Sequence, residues 1–254
     1  MTFSWTRVGA IFRKELRDYR RNRFVIFTMS ALPLLFIVMT MVQLFALKTS
    51  VSSVRLNDRI GLSMLYLLII PTMVPSALTA YSVVGEREQG TLEPVLITPI
   101  RREEFLVAKA LAAFTPTIII AYALFGVFLS AAELFAHPAV VAAIFERSHV
   151  LIQLLFTPLL AGWAIWMGIA ISARSTDVRA AQQLAIVASL PPLAVVALMS
   201  FNIIPASVPL AITLATGLLV LDIYGWRAVA AVFDRERLIS GRVADGRRGA
   251  RAGR

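Results

Sequence analysis

The chain has 254 residues, of which 58% are apolar and 16% charged, with a mean hydropathy of +0.77. Soluble domains carry about 25% charged residues, so this composition indicates an integral membrane protein and excludes an ordinary soluble domain. There is no cysteine, which excludes disulfides, thiolate metal sites and thiol catalysis. The net charge of +10 would suit nucleic acid, but the basic residues gather at the two ends and in short loops. No nucleic-acid partner is therefore expected.

The first element in chain order covers residues 5–23. Trp5, Val8, Gly9, Phe12, Leu16 and Tyr19 recur at helical spacing, while Arg7, Arg13, Lys14, Arg17, Arg20 and Arg21 take the other faces. This pattern predicts an amphipathic helix lying in the headgroup layer. A signal peptide would have a shorter basic region and a small-residue cleavage site after the first apolar run.

A bilayer core of about 30 Å needs about 20 apolar residues per helix, so charge-free intervals count the spans. They predict spans at about 24–47, 60–85, 110–132 and 148–173. The interval 180–221 is too long for one crossing and folds back near Asn202, Pro205 and Pro209, which gives spans at about 180–200 and 208–226. The expected fold is all-α and polytopic, a single membrane domain over residues 1–239 with six transmembrane helices behind the interfacial helix. Six crossings put both termini on one side, and that side holds all the lysines and arginines except Lys48, Arg55, Arg59 and Arg147. By the positive-inside rule both termini are cytoplasmic. Residues 240–254, rich in arginine, glycine and alanine, read as a disordered tail held near anionic lipid by charge.

Between the second and third spans lies a polar insert, residues 85–109, that carries Glu86, Glu88, Glu93, Glu103 and Glu104. Thr91 suits an N-cap, and Leu92, Val95 and Leu96 then share one face of a helix of roughly two turns. Pro99 closes that helix and can open the next. The result is a short helix with one apolar face, held between two membrane spans where another protein could grip it.

Catalytic chemistry finds little support. Gly85 and Gly90 have the spacing of a phosphate loop, but Thr91-Leu92 stands where Lys-Ser/Thr is required and no strand precedes it. No catalytic residue and no resident metal or cofactor is expected in this chain. No histidine lies inside a predicted span, and His137 and His149, with Glu133 and Glu146, read as solvated outer-loop residues in preference to a loose metal site. Asp222 is the one acid within a predicted span. It reads as a structural partner of Arg227 or of a neighbouring helix, because a charge-coupled carrier would need ionisable groups at mid-membrane. Gln43, Gln153, Gln182, Gln183 and Asn202 more often join helices than bind ligand. Pro71, Pro75, Pro116, Pro158, Pro191 and Pro192 punctuate the spans, which suits a bundle that changes shape as well as one with plain kinks.

Taken together, Phe12-Arg13-Lys14-Glu15-Leu16, Glu86 to Glu93, Leu96-Ile97-Thr98-Pro99, Glu104, Lys109 and a terminal Phe233 to Leu238 segment resemble the permease subunits of ABC type-2 transporters. The resemblance covers nearly the whole chain. It implies that the first cytoplasmic loop bears a coupling helix docking on an ATPase subunit, shaped by Gly90, Thr91, Leu92, Glu93, Val95, Leu96 and Pro99, with Glu86 and Glu88 near that partner. It further implies ATP and Mg on two partner ATPase subunits, a second permease copy or a related permease, surrounding membrane lipids, and residence in the cytoplasmic membrane. The substrate-binding residues stay unknown. A non-transporting membrane scaffold and an ion-coupled secondary transporter are the alternative functions.

Overall fold

The computed structural model describes residues 3–45, 53–86, 100–201, 203–204 and 207–232, and among these all regular structure is helical. The helices are α1 (Trp5–Arg21), α2 (Arg23–Phe45), α3 (Ser53–Ala80), α4 (Arg102–Phe135), α5 (Pro138–Ile144), α6 (Arg147–Arg174), α7 (Val178–Ala188), α8 (Leu190–Ser200) and α9 (Val208–Val232). A π-helical turn, Tyr81–Gly85, extends α3 toward the polar insert. Six segments are long and apolar enough to cross a membrane: Val25–Phe45, Leu56–Gly85, Arg102–Phe135, His149–Arg174, Val178–Ser200 and Val208–Ala230.

The bundle is built around α3, the most buried of these segments, which packs against α2 and α6 and also touches α4, α7 and α8. Hydrophobic burial cannot drive association between helices already in lipid, so close approach through small residues carries much of the packing. At Gly61 a β-carbon would lie 1.8 Å from the Ser200 carbonyl oxygen, and at Gly168 it would lie 1.9 Å from Thr79 Oγ1. No larger residue fits at either crossing.

The prolines are accommodated locally. Pro158 has no N–H for the Leu154 carbonyl one turn earlier, and the Tyr122 hydroxyl reaches across from α4 to donate to that oxygen at 2.8 Å. The fifth crossing is two helices. Ser189 forms a one-residue turn after α7, its hydroxyl donates to the Ala185 carbonyl at 2.9 Å, and Pro191 and Pro192 fall in the first turn of α8, where a missing N–H costs nothing. The chain turns back between Ser200 and Val208; Asn202 and Pro205, marked in the sequence as the fold-back, lie outside the described residues.

Two features depart from the pattern read in the sequence. Helix α4 begins at Arg102, so its first two turns carry the charged residues Glu103, Glu104 and Lys109 around the apolar Phe105 and Leu106. Charge-free counting placed these residues in a loop, because hydropathy has no way to register a charge neutralised by another helix. The second departure follows from the first. The apolar side of α1, expected to enter the headgroup layer, packs on this protruding base of α4: Val8, Ile11 and Tyr19 are buried, and Phe12 and Leu16 rest against the core. Trp5 alone among the large apolar residues of α1 stays mostly exposed, at 69%. The arginine-rich side of α1 faces outward.

Candidate functional site

At the base of the bundle, where the insert joins the second and third spans, side chains from α1, the π-turn and α4 form a buried charged cluster. Lys109, with no exposed side-chain surface, places its ammonium 2.9 Å from Glu15 Oε1 and 3.2 Å from Glu86 Oε1. Lys14 reaches the same two acids, at 2.5 Å from Glu86 and 3.5 Å from Glu15, and lies 3.5 Å from Asp18. Two cations thus alternate with two buried carboxylates, so each charge has a partner of opposite sign and the cost of dehydration is offset. The Lys109 ammonium also sits 4.9 Å from the centre of the Phe105 ring.

A second pair reinforces the first. Glu104, fully buried, accepts from Arg7 Nε at 2.9 Å and Arg7 Nη2 at 2.7 Å, from the Ser4 amide at 2.7 Å and from the Arg101 amide at 3.0 Å. The bidentate guanidinium fixes direction as well as charge. The Arg101 contact is the returning half of a capping arrangement, in which the third residue of α4 satisfies the amide just before the helix. Through Glu86 on one stalk and Glu104 and Lys109 on the other, both ends of the insert are fastened to the single helix α1.

The electrostatics follow from this geometry. Burial pulls the Lys14 ammonium down, but Glu86, by charge and by hydrogen bond, with Glu15 and Asp18, overrides it and holds the group well above its ordinary value. Burial pushes the Tyr19 phenol up, and the carboxylates of Glu15, Glu86 and Asp18 push it further.

The π-turn has its own support from α6. The Ser172 hydroxyl accepts from the amides of Val83, at 3.2 Å, and Val84, at 3.1 Å, and donates to the Ala80 carbonyl at 2.9 Å. One donor and two acceptor sites are the whole capacity of a serine hydroxyl, and all are used. Gly85 closes the turn where a β-carbon would meet the Tyr81 ring at 2.9 Å. Val84 and Ala80 also pack on Val178 and Ala181, so the start of α7 shares this end of the bundle.

Of the residues singled out in the sequence, Glu86 is in the cluster. Glu88, Gly90, Thr91, Leu92, Glu93, Val95, Leu96 and Pro99 lie outside the described residues, as does the tail 240–254. Asp222 accepts from Trp166 Nε1 at 3.0 Å, so its partner is the neighbouring helix α6. His137 accepts from the Ala139 amide at the start of α5, and His149 Nδ1 lies 3.0 Å from the Ala143 carbonyl; the two histidines serve the α5 turn separately. Among the described residues no group of three or more histidine or acidic side chains could hold a metal ion.

Sequence reasoning missed the partners Lys14, Glu15 and Arg7, and the roles of Ser172 and Tyr122. A signal existed for the first: Glu15 is the single acid on the buried side of a strongly basic helix. For a hydroxyl bonded to another span there is no local signal. With charges paired and no reactive group exposed, the cluster is suited to holding segments together and not to bond-making chemistry.

A model of the ABC-2 family transporter proteins matches residues 9–223 of the chain. No curated protein matches it.

Proposed function

The chain belongs to the ABC-2 transporter family, and on that premise we propose that it is the permease half of an exporter whose ATP is hydrolysed on separate subunits. As a family member it is a multi-pass membrane protein and a permease component, not a catalytic one. The proposed cargo is amphiphilic or lipid-like, since the spans present amides and hydroxyls but few charges. The proposed residence is the cytoplasmic membrane.

The observation that carries the reading is the clamp at the base of the second and third spans. Glu86, Lys109 and Glu104 tie both stalks of residues 87–101 to α1, so a push on that segment reaches three membrane-entering helices together. In the proposed cycle two ATPase subunits close on ATP and Mg, carry the Leu92/Val95/Leu96 face with them, and the attached spans re-pack. Such coupling requires that the two conformations differ in nucleotide affinity. One six-span chain supplies half of a two-fold pathway, so a second copy or a related permease completes it.

Co-purification tests the proposal. Tagged chain co-expressed with candidate ABC ATPase subunits should bring one down, and Glu93→Arg and Leu92→Asp should each weaken that association while membrane insertion stays normal. Retention of full association and of stimulated ATPase activity in both variants would overturn the docking assignment. Substrate-stimulated ATPase activity in proteoliposomes separates an exporter from a scaffold that only recruits a partner.

A further inference from the structure

Far from the clamp, the last crossing holds an acid that no cation answers. Asp222 stands eight residues inside the end of the segment Val208–Ala230, about 12 Å along the helix axis, and its single methylene is too short to carry the charge out to water. Every other carboxylate, lysine, arginine or histidine described in the six segments lies within two turns of a segment end. Asp222 also continues the buried stripe of Ala211, Ala215 and Leu218, which packs with Ile152, Phe156 and Leu160 of α6, so it is turned toward protein and not toward lipid. We propose that Asp222 receives the positively charged head of an amphiphilic cargo, a substituted ammonium on an apolar body. The proposal rests on the exporter reading and deepens it by giving the cargo a charge.

Three observations carry it. The first is the missing counter-charge. Where this chain uses a buried acid for structure it supplies a cation: Glu15, Glu86 and Glu104 each have a lysine or arginine nitrogen within 3.2 Å. Asp222 Oδ1 accepts from the neutral indole of Trp166 at 3.0 Å, and among the described residues no cation pairs with the carboxylate. Arg227, the partner considered in the sequence, is exposed and makes no ion pair among them. An unpaired carboxylate at this depth is costly, and a cation arriving with the cargo relieves that cost.

The second is an open oxygen. Oδ2 of Asp222 has no hydrogen bond among the described residues, and it is not sealed by its neighbours. The residue facing it on α6 is Gly162, where a β-carbon would lie 3.1 Å from Oδ2. Glycine there leaves the oxygen uncovered.

The third is the aromatic wall. Trp166 meets Trp163 edge to face, with ring centres 4.8 Å apart. Trp163 in turn donates from Nε1 to the Ala188 carbonyl at 2.9 Å, the carbonyl that Pro192, four residues on, has no N–H to serve. Two indoles with their N–H groups fixed thus run from Asp222 to the break between α7 and α8. A carboxylate with indole rings beside it, set between helices of a bundle, is the chemistry that selects an organic cation.

The test uses the full chain in phosphatidylcholine nanodiscs and three probes of one apolar body, decylammonium, decanol and decanoate, measured by equilibrium dialysis with empty discs subtracted. Decylammonium should bind at least about tenfold more tightly than decanol, the worth of one hydrogen bond to a charged group, and decanoate the least. Asp222→Asn still accepts from Trp166 and should erase that preference, whereas Asp222→Glu should keep most of it. Gly162→Ala, which lays a methyl on Oδ2 and leaves the charge, should lower the preference as well and decides the case if Asp222→Asn fails to insert. Equal binding of the three probes by the parent chain, or a preference for decanol or decanoate, would overturn the proposal, and so would an ammonium preference unchanged in the variants that insert. No ATPase subunit is needed for these readouts. Capture of an ATPase without charge selectivity would sink the cargo site alone, and charge selectivity without any captured ATPase would sink the exporter reading alone.

Discussion

Replacing Lys109 by methionine keeps the length of the side chain and deletes its charge. The ammonium it removes lies within 3.2 Å of both Glu15 and Glu86, and the residue has no exposed side-chain surface through which water could substitute. Lys14 would remain within reach of both buried carboxylates, but it already shares itself with Asp18. Breaking a buried ion pair by removing one partner costs about 3–5 kcal/mol, because a buried charge is left uncompensated. For a chain of this size that corresponds to a fall in Tm of roughly 6–20 °C. Thermal unfolding of the detergent-solubilised protein reads the loss directly. The double variant Lys109→Met/Glu86→Gln removes one charge of each sign and should recover much of it, giving a coupling energy well above the 0.3–0.5 kcal/mol scatter expected of independent sites. A Lys109→Met variant within about 1 kcal/mol of the parent, or strictly additive costs in the double, would show that the cluster is hydrated and is not a clamp.

Alkaline pH is the second test. The Lys14 value is raised above its ordinary 10.5, so its stabilising charge is fully present below that pH and is lost as pH rises toward the folded value. Tyr19 acts in the same direction: above its ordinary 10.0 the unfolded phenol ionises while the folded one does not, which favours unfolding. Stability should hold up to about pH 10 and then decline, and Tyr19→Phe should make the decline shallower; an unchanged profile would contradict the burial of that phenol. Ser172→Ala leaves the Val83 and Val84 amides unpaired at about 1–3 kcal/mol each, and hydrogen exchange at those two amides should accelerate selectively. Tyr122→Phe removes the substitute donor of the Leu154 carbonyl and should destabilise the bundle by about 0.6–1.7 kcal/mol in denaturant titrations, whereas the same change in a Pro158→Ala background should cost less.

What could be read from the sequence divides along a physical line. Membrane-crossing helices announce themselves because lipid imposes length and polarity residue by residue, and that constraint is local. Glu104 and Lys109 were misread as loop because their acceptability inside α4 depends on Arg7 and Glu15, nearly a hundred positions away. The same holds for α1, whose apolar stripe was legible while the surface receiving it was not. Glu15 falls on that stripe and is buried with it, so polarity alone sorted it wrongly. Of the residues expected to couple to a partner, Glu86 falls among the described residues, where it joins the clamp. The arrangement around it arises from three elements meeting, and no spacing within one of them encodes that meeting.

The π-turn leaves a small reserve of winding next to the insert. Five residues from Tyr81 to Gly85 travel around the axis where a regular spiral would use fewer, and a single serine from another span holds them so. Were that hydroxyl to let go and the turn tighten to α-geometry, everything beyond Gly85 would swing by about 100° and slide by about 1.5 Å. The second crossing therefore ends in a screw thread with one step in hand, and its release would convert a sideways shift of α6 into rotation of the strand of chain that follows.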